Sequence, residues 1–352
     1  MSLERQIRSS GGGVAQAVIA EPALDVHERT VLERILGSQG FWVTIALAIL
    51  IAVGSGLEEN YASADNFFNL TRNFAFIGIM ALGMIPVIIT GGIDLSVGMV
   101  LVLTNCLASW IVIGTAASAA LGVVGVLLTG LACGAVNGLI VIYGRLQPIV
   151  ATIASGAVFF GLALLLRPVP GGDVYGPLAD TLTGRVFRVA PASLVALGAV
   201  ILVIWIPYSR SKIGRATYAV GSSETAAYMS GVPVGPAKFW AYLLSGLTAS
   251  LGGLFLTFVT YSGEASAANG YTYTLFSIAA VVLGGVSLFG GSGSAIGAIF
   301  GALMFRTIGD LLFVFNLDPL WQPLFQGLVL LAAVCVGSAR LFQVRNRLDL
   351  FP

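Results

Sequence analysis

Apolar segments of about 17 to 25 residues recur along nearly the whole chain, each long enough to cross a hydrocarbon core of about 30 Å at about 1.5 Å per residue. Little chain is left for a separate soluble domain. With 57% hydrophobic residues and 9% charged ones, the composition departs from that of soluble domains, where about a quarter of residues are charged. Lipid is the solvent for most of the chain. Backbone polar groups in lipid must be satisfied within their own segment, so the expected fold is all-α and polytopic, with about ten transmembrane helices. The expected spans are Phe41–Leu57, Phe74–Thr90, Ser96–Ile113, Ala119–Tyr143, Pro148–Leu166, Ala192–Tyr208, Phe239–Val259, Phe276–Phe289, Ala295–Phe315 and Pro323–Val336. Gly and Pro supply the joins, as at Arg145–Pro148, Gly290–Gly293 and Asp318–Pro323.

Residues 1–40 are polar and of mixed charge, too long a prelude for a cleavable signal, and read as a cytoplasmic tail. A transmembrane domain then covers 41–339, with a long loop at about 209–238, and 340–352 forms a second cytoplasmic tail. Threading ten spans from an inside amino terminus puts Arg5, Arg8, Arg29, Arg34, Arg145, Arg210, Lys212, Arg215, Lys238, Arg340, Arg345 and Arg347 in the cytoplasm. Arg72, Arg167, Arg185 and Arg188 fall outside, the asymmetry that the positive-inside rule predicts. Both termini are then cytoplasmic. A net charge of +1 offers no basic surplus for nucleic acid. Cys106, Cys133 and Cys335 lie in apolar segments and read as packing residues.

Glycines four apart, Gly130, Gly134 and Gly138 in one segment and Gly293, Gly297 and Gly301 in another, read as seams for close helix packing. Two stretches resemble each other: Ile89-Thr90-Gly91-Gly92-Ile93-Asp94-Leu95 and Val282-Leu283-Gly284-Gly285-Val286-Ser287-Leu288. Each interrupts an apolar run with paired glycines, so some helices are expected to be broken or re-entrant and the chain to hold two weakly related halves.

Asp94, in Gly91-Gly92-Ile93-Asp94-Leu95-Ser96-Val97-Gly98, is an acid between two apolar runs. Either it or Ser96 caps the following helix, or Asp94 faces a solute path or gate. Arg306 and Asp310, four residues apart near the middle of their span, form either an ion pair that lowers the cost of both charges or a polar contact on the path. In the 209–238 loop, Ser222 or Ser223 can cap a short helix, Glu224 suits its positive end and Gly231 can close it. Exposed Ala226 and Ala227 on that helix would suit docking to another subunit.

Four stretches carry a family resemblance: Gly91 to Gly98, Gln147-Pro148-Ile149-Val150-Ala151-Thr152, Gly221 to Gly231, and Ala279 to Leu288 with Gly290-Gly291. Together they resemble the permease subunits of ribose-type monosaccharide importers of the ATP-binding cassette class, from about Ala75 to Val336. The resemblance implies a type II importer in a bacterial inner membrane. Such an importer has two permease chains around a path, two cytoplasmic ATPase subunits and a periplasmic solute-binding protein. It implies a coupling role for Ser223, Glu224, Ala226, Ala227, Ser230 and Gly231. A path or gate is assigned to Asp94, Ser96, Asn105, Asn137, Thr152, Thr274, Phe276, Arg306 and Asp310. Thr274 and Phe276 stand where sugar permeases commonly carry an acidic residue, and Arg306 with Asp310 where amides are usual, which leaves the particular solute open.

An intramembrane serine enzyme built on Gly290-Gly291-Ser292-Gly293 lacks a base, because His27 lies in the polar tail. No His, Cys and carboxylate cluster suggests a metal, no cofactor is implied, and no Walker-type loop is present. The energy for transport must come from a partner ATPase or, in an ion-driven secondary transporter or channel, from a gradient.

Overall fold

The computed structural model describes residues 39–186, 190–329, 331, 332 and 335, so the two tails with their arginines, His27 and Arg188 lie outside the described residues. Among the described residues seven helices are long and apolar enough to cross a membrane, and two shorter apolar ones, Val97–Ile111 and Ala267–Leu283, accompany them. A further helical run at 322–329 begins where the last segment is expected.

In chain order the long elements are α1 (Gln39–Leu57), α2 (Ala64–Ile89), α3 (Val97–Ile111), α4 (Ala116–Ile142) and α5 (Pro148–Leu166). A short helix α6 (Gly176–Thr183) and a two-stranded ribbon, Arg185–Val186 against Ala190–Pro191, follow before α7 (Ala192–Val200). From α7 the helix continues through a π stretch, Ile201–Trp205, into α8 (Ile206–Arg210). Pro207 has no N–H to offer, and the Ile206 N–H reaches back five residues to the Ile201 carbonyl instead. The 209–238 loop holds α9 (Lys212–Ser222) and α10 (Glu224–Met229), and α11 (Val234–Thr260), α12 (Ala267–Leu283) and α13 (Ala295–Val314) complete the bundle.

Hydropathy does not rank these helices, but packing does. The apolar window of α2 is 89% buried within the protein, against 17% for that of α1. α2, α3 and α4 each pack on α11, which sits at the centre, and α5 packs against α3. Helix α2 also begins ten residues before the expected Phe74, because Ser63 caps it by accepting the Asn66 N–H and Asp65 favours its positive end.

The first glycine seam behaves as expected. A Cβ at Gly130 would meet the Gly246 carbonyl at 2.5 Å, and one at Gly134 the Tyr242 carbonyl at 2.4 Å, so α4 and α11 touch backbone to backbone. Gly297 and Gly301 likewise face Gly284 and Ala280 of α12, but Gly293 precedes α13 and faces Val286. Cys106 and Cys133 are buried, whereas Cys335 is exposed and does not pack in the core.

The two similar stretches both end a helix with the same cap. After α2, Gly91 is left-handed (φ 77°), the Gly91 N–H bonds Ile88 O and the Gly92 N–H bonds Val87 O. After α12, Gly285 is left-handed (φ 90°), with Gly285 N–H on Val282 O and Val286 N–H on Val281 O. Such a cap demands a positive φ, which glycine adopts without a Cβ clash. The caps match Gly91 with Gly285, one residue out of step with the sequence match of Gly91 to Gly284, because backbone handedness rather than residue identity sets the register.

Candidate functional site

Asp94 is 1% exposed and sits in the break between α2 and α3. Its Oδ1 accepts from the Ser96 N–H at 2.9 Å and the Ser96 hydroxyl at 2.6 Å, and its Oδ2 from the Ser245 hydroxyl of α11 at 2.7 Å. Asn137 of α4 donates to Ser96 Oγ at 2.7 Å. Asp94 therefore closes the turn that leads into α3, while Ser96 stands at the N-cap position with no side-chain bond to the helix and relays Asn137 to Asp94. Beside it, Thr152 Oγ1 of α5 accepts the Leu95 N–H at 3.0 Å and donates to Pro148 O at 2.9 Å. A single buried knot thus ties the break to α4, α5 and α11.

This geometry separates two substitutions. In Asp94→Asn the remaining oxygen still accepts from Ser96, and the new amide donates to a Ser245 hydroxyl turned to accept. Asp94→Leu strands the Ser96 N–H and both hydroxyls, at about 1–3 kcal/mol per unsatisfied group. Thermal unfolding in detergent should therefore show Asp94→Asn near the parent and Asp94→Leu strongly destabilised. Equal destabilisation of the two would show that charge, not hydrogen bonding, holds the knot.

The other residues assigned to a path lie elsewhere. Asn105, further along α3, donates to Thr257 Oγ1 at 2.9 Å and Ser262 O at 3.1 Å and accepts the Glu264 N–H at 2.9 Å, pinning the far end of α11. Thr274 is buried between α12 and α3, accepting the Gly98 N–H at 3.0 Å and donating to Gly270 O at 2.9 Å. Phe276 packs on Phe305 with ring centroids 5.8 Å apart. Arg306 and Asp310 pair at 2.6 Å within α13 and border the polar loop between α1 and α2. That loop folds back along α1 until Tyr61 meets Gly54.

The loop helix α10 forms as expected. Ser223 caps it by accepting the Ala226 N–H at 3.3 Å, Gly231 follows with φ 73°, and Glu224 pairs with Lys238 of α11 at 2.7 Å. Ala226 is exposed, but Ala227 is buried against Ala216, Val220 and Ala237, so it is not a free docking residue. The exposed side instead carries Tyr228 (73%) and Met229 (81%), which the small-residue reading passed over.

The four sequence stretches converge. The Ile89 carbonyl, ending α2, accepts the Gly291 N–H at 3.0 Å. At the end of α9, Gly221 lies so close that a Cβ there would stand 1.8 Å from Ile89 O and 2.5 Å from Gly291 N. Tyr218 of the same helix donates to Gly293 O at 3.1 Å. The 209–238 loop therefore bears on both helix breaks at once, and Thr152 ties the second stretch to the first.

A multi-pass helical membrane protein with paired helix breaks resting on a long loop belongs, as a class, among the transport permeases. The particular family follows from comparison. The chain belongs to the family described as the branched-chain amino acid transport system / permease component, which matches residues 66–334. It is 37% identical to the ribose import permease protein RbsC of Escherichia coli over 304 residues, 84% of this chain and 92% of that protein. It is 31% identical over 329 residues to the fructose import permease protein FrcC of Rhizobium meliloti, covering 90% of this chain and 91% of that one. The D-allose transport system permease protein AlsC of Escherichia coli is 29% identical over 295 residues, 82% of this chain and 89% of its own. No solved structure matches the chain.

Proposed function

We propose that this chain is the permease subunit of an ATP-driven importer of a monosaccharide or related polyhydroxylated solute in a bacterial inner membrane. Its partners are cytoplasmic ATPase subunits, a periplasmic solute-binding protein and a second permease chain. Both termini lie in the cytoplasm, and ten spans include the two short helices and the segment that begins at 322. The matching caps after α2 and α12 support two related halves. Ribose, fructose and allose in the relatives' names support the solute class.

The observation that carries this reading is the contact of Gly221 with Ile89 O and Gly291 N. A chain that receives work from outside needs a lever on its own helices. Here α10 offers Tyr228 and Met229 to a partner, the Glu224–Lys238 pair links it to α11, and α9 rests on both breaks. Closure of an ATPase pair would press this loop, and the breaks would carry the motion into α2 and α12 as rigid-body rocking around the path. The Asp94 knot keeps the first break attached to α4, α5 and α11 as it moves.

Expression with its genomic neighbours should yield a complex in which an ATPase subunit co-purifies with the chain. Proteoliposomes of that complex should import sugar when ATP and the binding protein are supplied. Sugar uptake by the chain alone, driven by an ion gradient, would replace the proposal with a secondary transporter.

A further inference from the structure

Arg306 and Asp310 border a cavity of about 440 Å³ between the α1–α2 loop, the start of α2 and the far half of α13, within the size range of small-ligand sites. Arg306 stands eleven residues beyond Ala295, or about 17 Å along the helix at about 1.5 Å per residue. The cavity is therefore remote from the Gly221 contact, at the opposite end of α13.

Its walls are polar in both senses. Asn60 and Asn69 bring amides that donate and accept, Asn66 already donates to the Tyr61 carbonyl at 2.8 Å, Ser63 adds a hydroxyl, Glu58 adds a second carboxylate beside the Arg306–Asp310 pair, and Leu70 and Val314 add apolar surface. Two buried atoms are left without a hydrogen-bond partner: the hydroxyl of Tyr61, a residue only 7% exposed, and Nε of Arg306. Burial, with the Asp310 carboxylate nearby, pushes the Tyr61 hydroxyl up to about 12, so it stays protonated and able to donate. Buried groups left in this way carry a desolvation cost, and a ligand rich in hydroxyls, each of which both donates and accepts, matches the amides, carboxylates and guanidinium that line the cavity.

We infer that this cavity is a binding site for a neutral polyhydroxylated solute on the permease itself, held by Arg306, Asp310, Tyr61 and the three asparagines. The inference rests on the importer reading and deepens it: the permease meets the solute at the end remote from the ATPase loop, before or after the binding protein does. The match of ligand to wall is one of hydrogen-bond count, so affinity is modest and several sugars are accepted.

The test uses the permease and ATPase complex in nanodiscs, without binding protein. Val314, a half-buried residue that lines the cavity without a polar group, is changed to Cys in a Cys335→Ser background and labelled with a charged maleimide in the presence of ribose, fructose, allose or xylitol. At a solute concentration about four times its Kd, mass action predicts labelling about fivefold slower. Choline chloride should give no protection. Arg306→Gln and Asp310→Asn, labelled at the parent rate without sugar, should need at least about tenfold more solute for the same protection. Labelling that no sugar slows, protection by choline alone, or undiminished protection in both variants would overturn the site. ATP-driven import assayed with binding protein on the same preparations separates the two readings. Import without protection removes the site alone, and protection without ATP-driven import removes the importer reading.

Discussion

Glu224→Lys is expected to abolish ATP-driven uptake while the chain remains inserted in the membrane. Glu224 sits in the first turn of α10, where Ser223 caps the helix, and its carboxylate reaches Lys238 at 2.7 Å. A lysine there opposes both the positive end of the helix and Lys238 itself, so α10 is pushed from its seat on α11. The pair is largely exposed on the glutamate side, and such pairs contribute only about 0–1 kcal/mol to stability. The bundle should therefore survive, and the loss should appear in coupling. Membrane abundance near that of the parent, ATPase subunits lost on purification and background sugar uptake are the expected results. Glu224→Gln, which keeps the cap and removes only the attraction, should retain most uptake. Full uptake and normal co-purification in Glu224→Lys would move the docking contact to Tyr228 and Met229, where Tyr228→Ala with Met229→Ala would then be the deleterious change.

Gly221→Ala is the second large effect, and it comes from a single methyl group. The added carbon would lie 1.8 Å from Ile89 O and 2.5 Å from Gly291 N. Both are backbone atoms that a rotamer change cannot move. Helix α9 must shift, and with it goes the seat of the Gly291 N–H on Ile89 O. Overpacking of this kind costs about 1–3 kcal/mol or more. Beyond that cost, the contact that carries loop motion into both breaks is opened. Uptake should fall at least about tenfold, together with a lower unfolding midpoint in detergent. Gly161→Ala is the matched control, since nothing lies within 4 Å of a Cβ at that position. It should behave as the parent in both measurements. A Gly221→Ala protein with normal uptake would show that force reaches the spans by another route, through Glu224 and α11.

Membership in a membrane fold was legible in the sequence because lipid imposes one rule on every span: apolar side chains outside and backbone bonds satisfied within. The seven spanning-length helices among the described residues, the capped loop helix after Ser223 and the seam at Gly130 and Gly134 all follow from local chemistry that acts over a few residues. The family resemblance was legible for a related reason, since its four stretches are short and contiguous. Reading Ala227 as exposed failed because both faces of a six-residue helix look alike in sequence when small residues occupy them. The polar surroundings of Arg306 were not legible either, because counting along an apolar run says nothing of a neighbouring loop that folds back.

What only the tertiary structure decided is which residues meet. Ser245, Asn137 and Thr152 lie on three different helices, and nothing in their spacing joins them to Asp94. Gly221 and Gly291 are equally remote in sequence, yet both close on the Ile89 carbonyl. The physical reason is that hydropathy specifies how deep a residue sits and not which helix stands beside it. Neighbours are chosen by close backbone approach at glycine and by buried polar groups that have no water to fall back on. The sequence by itself determined that this protein lives in a membrane as a bundle of helices. Packing alone brought its loop to bear on its two breaks.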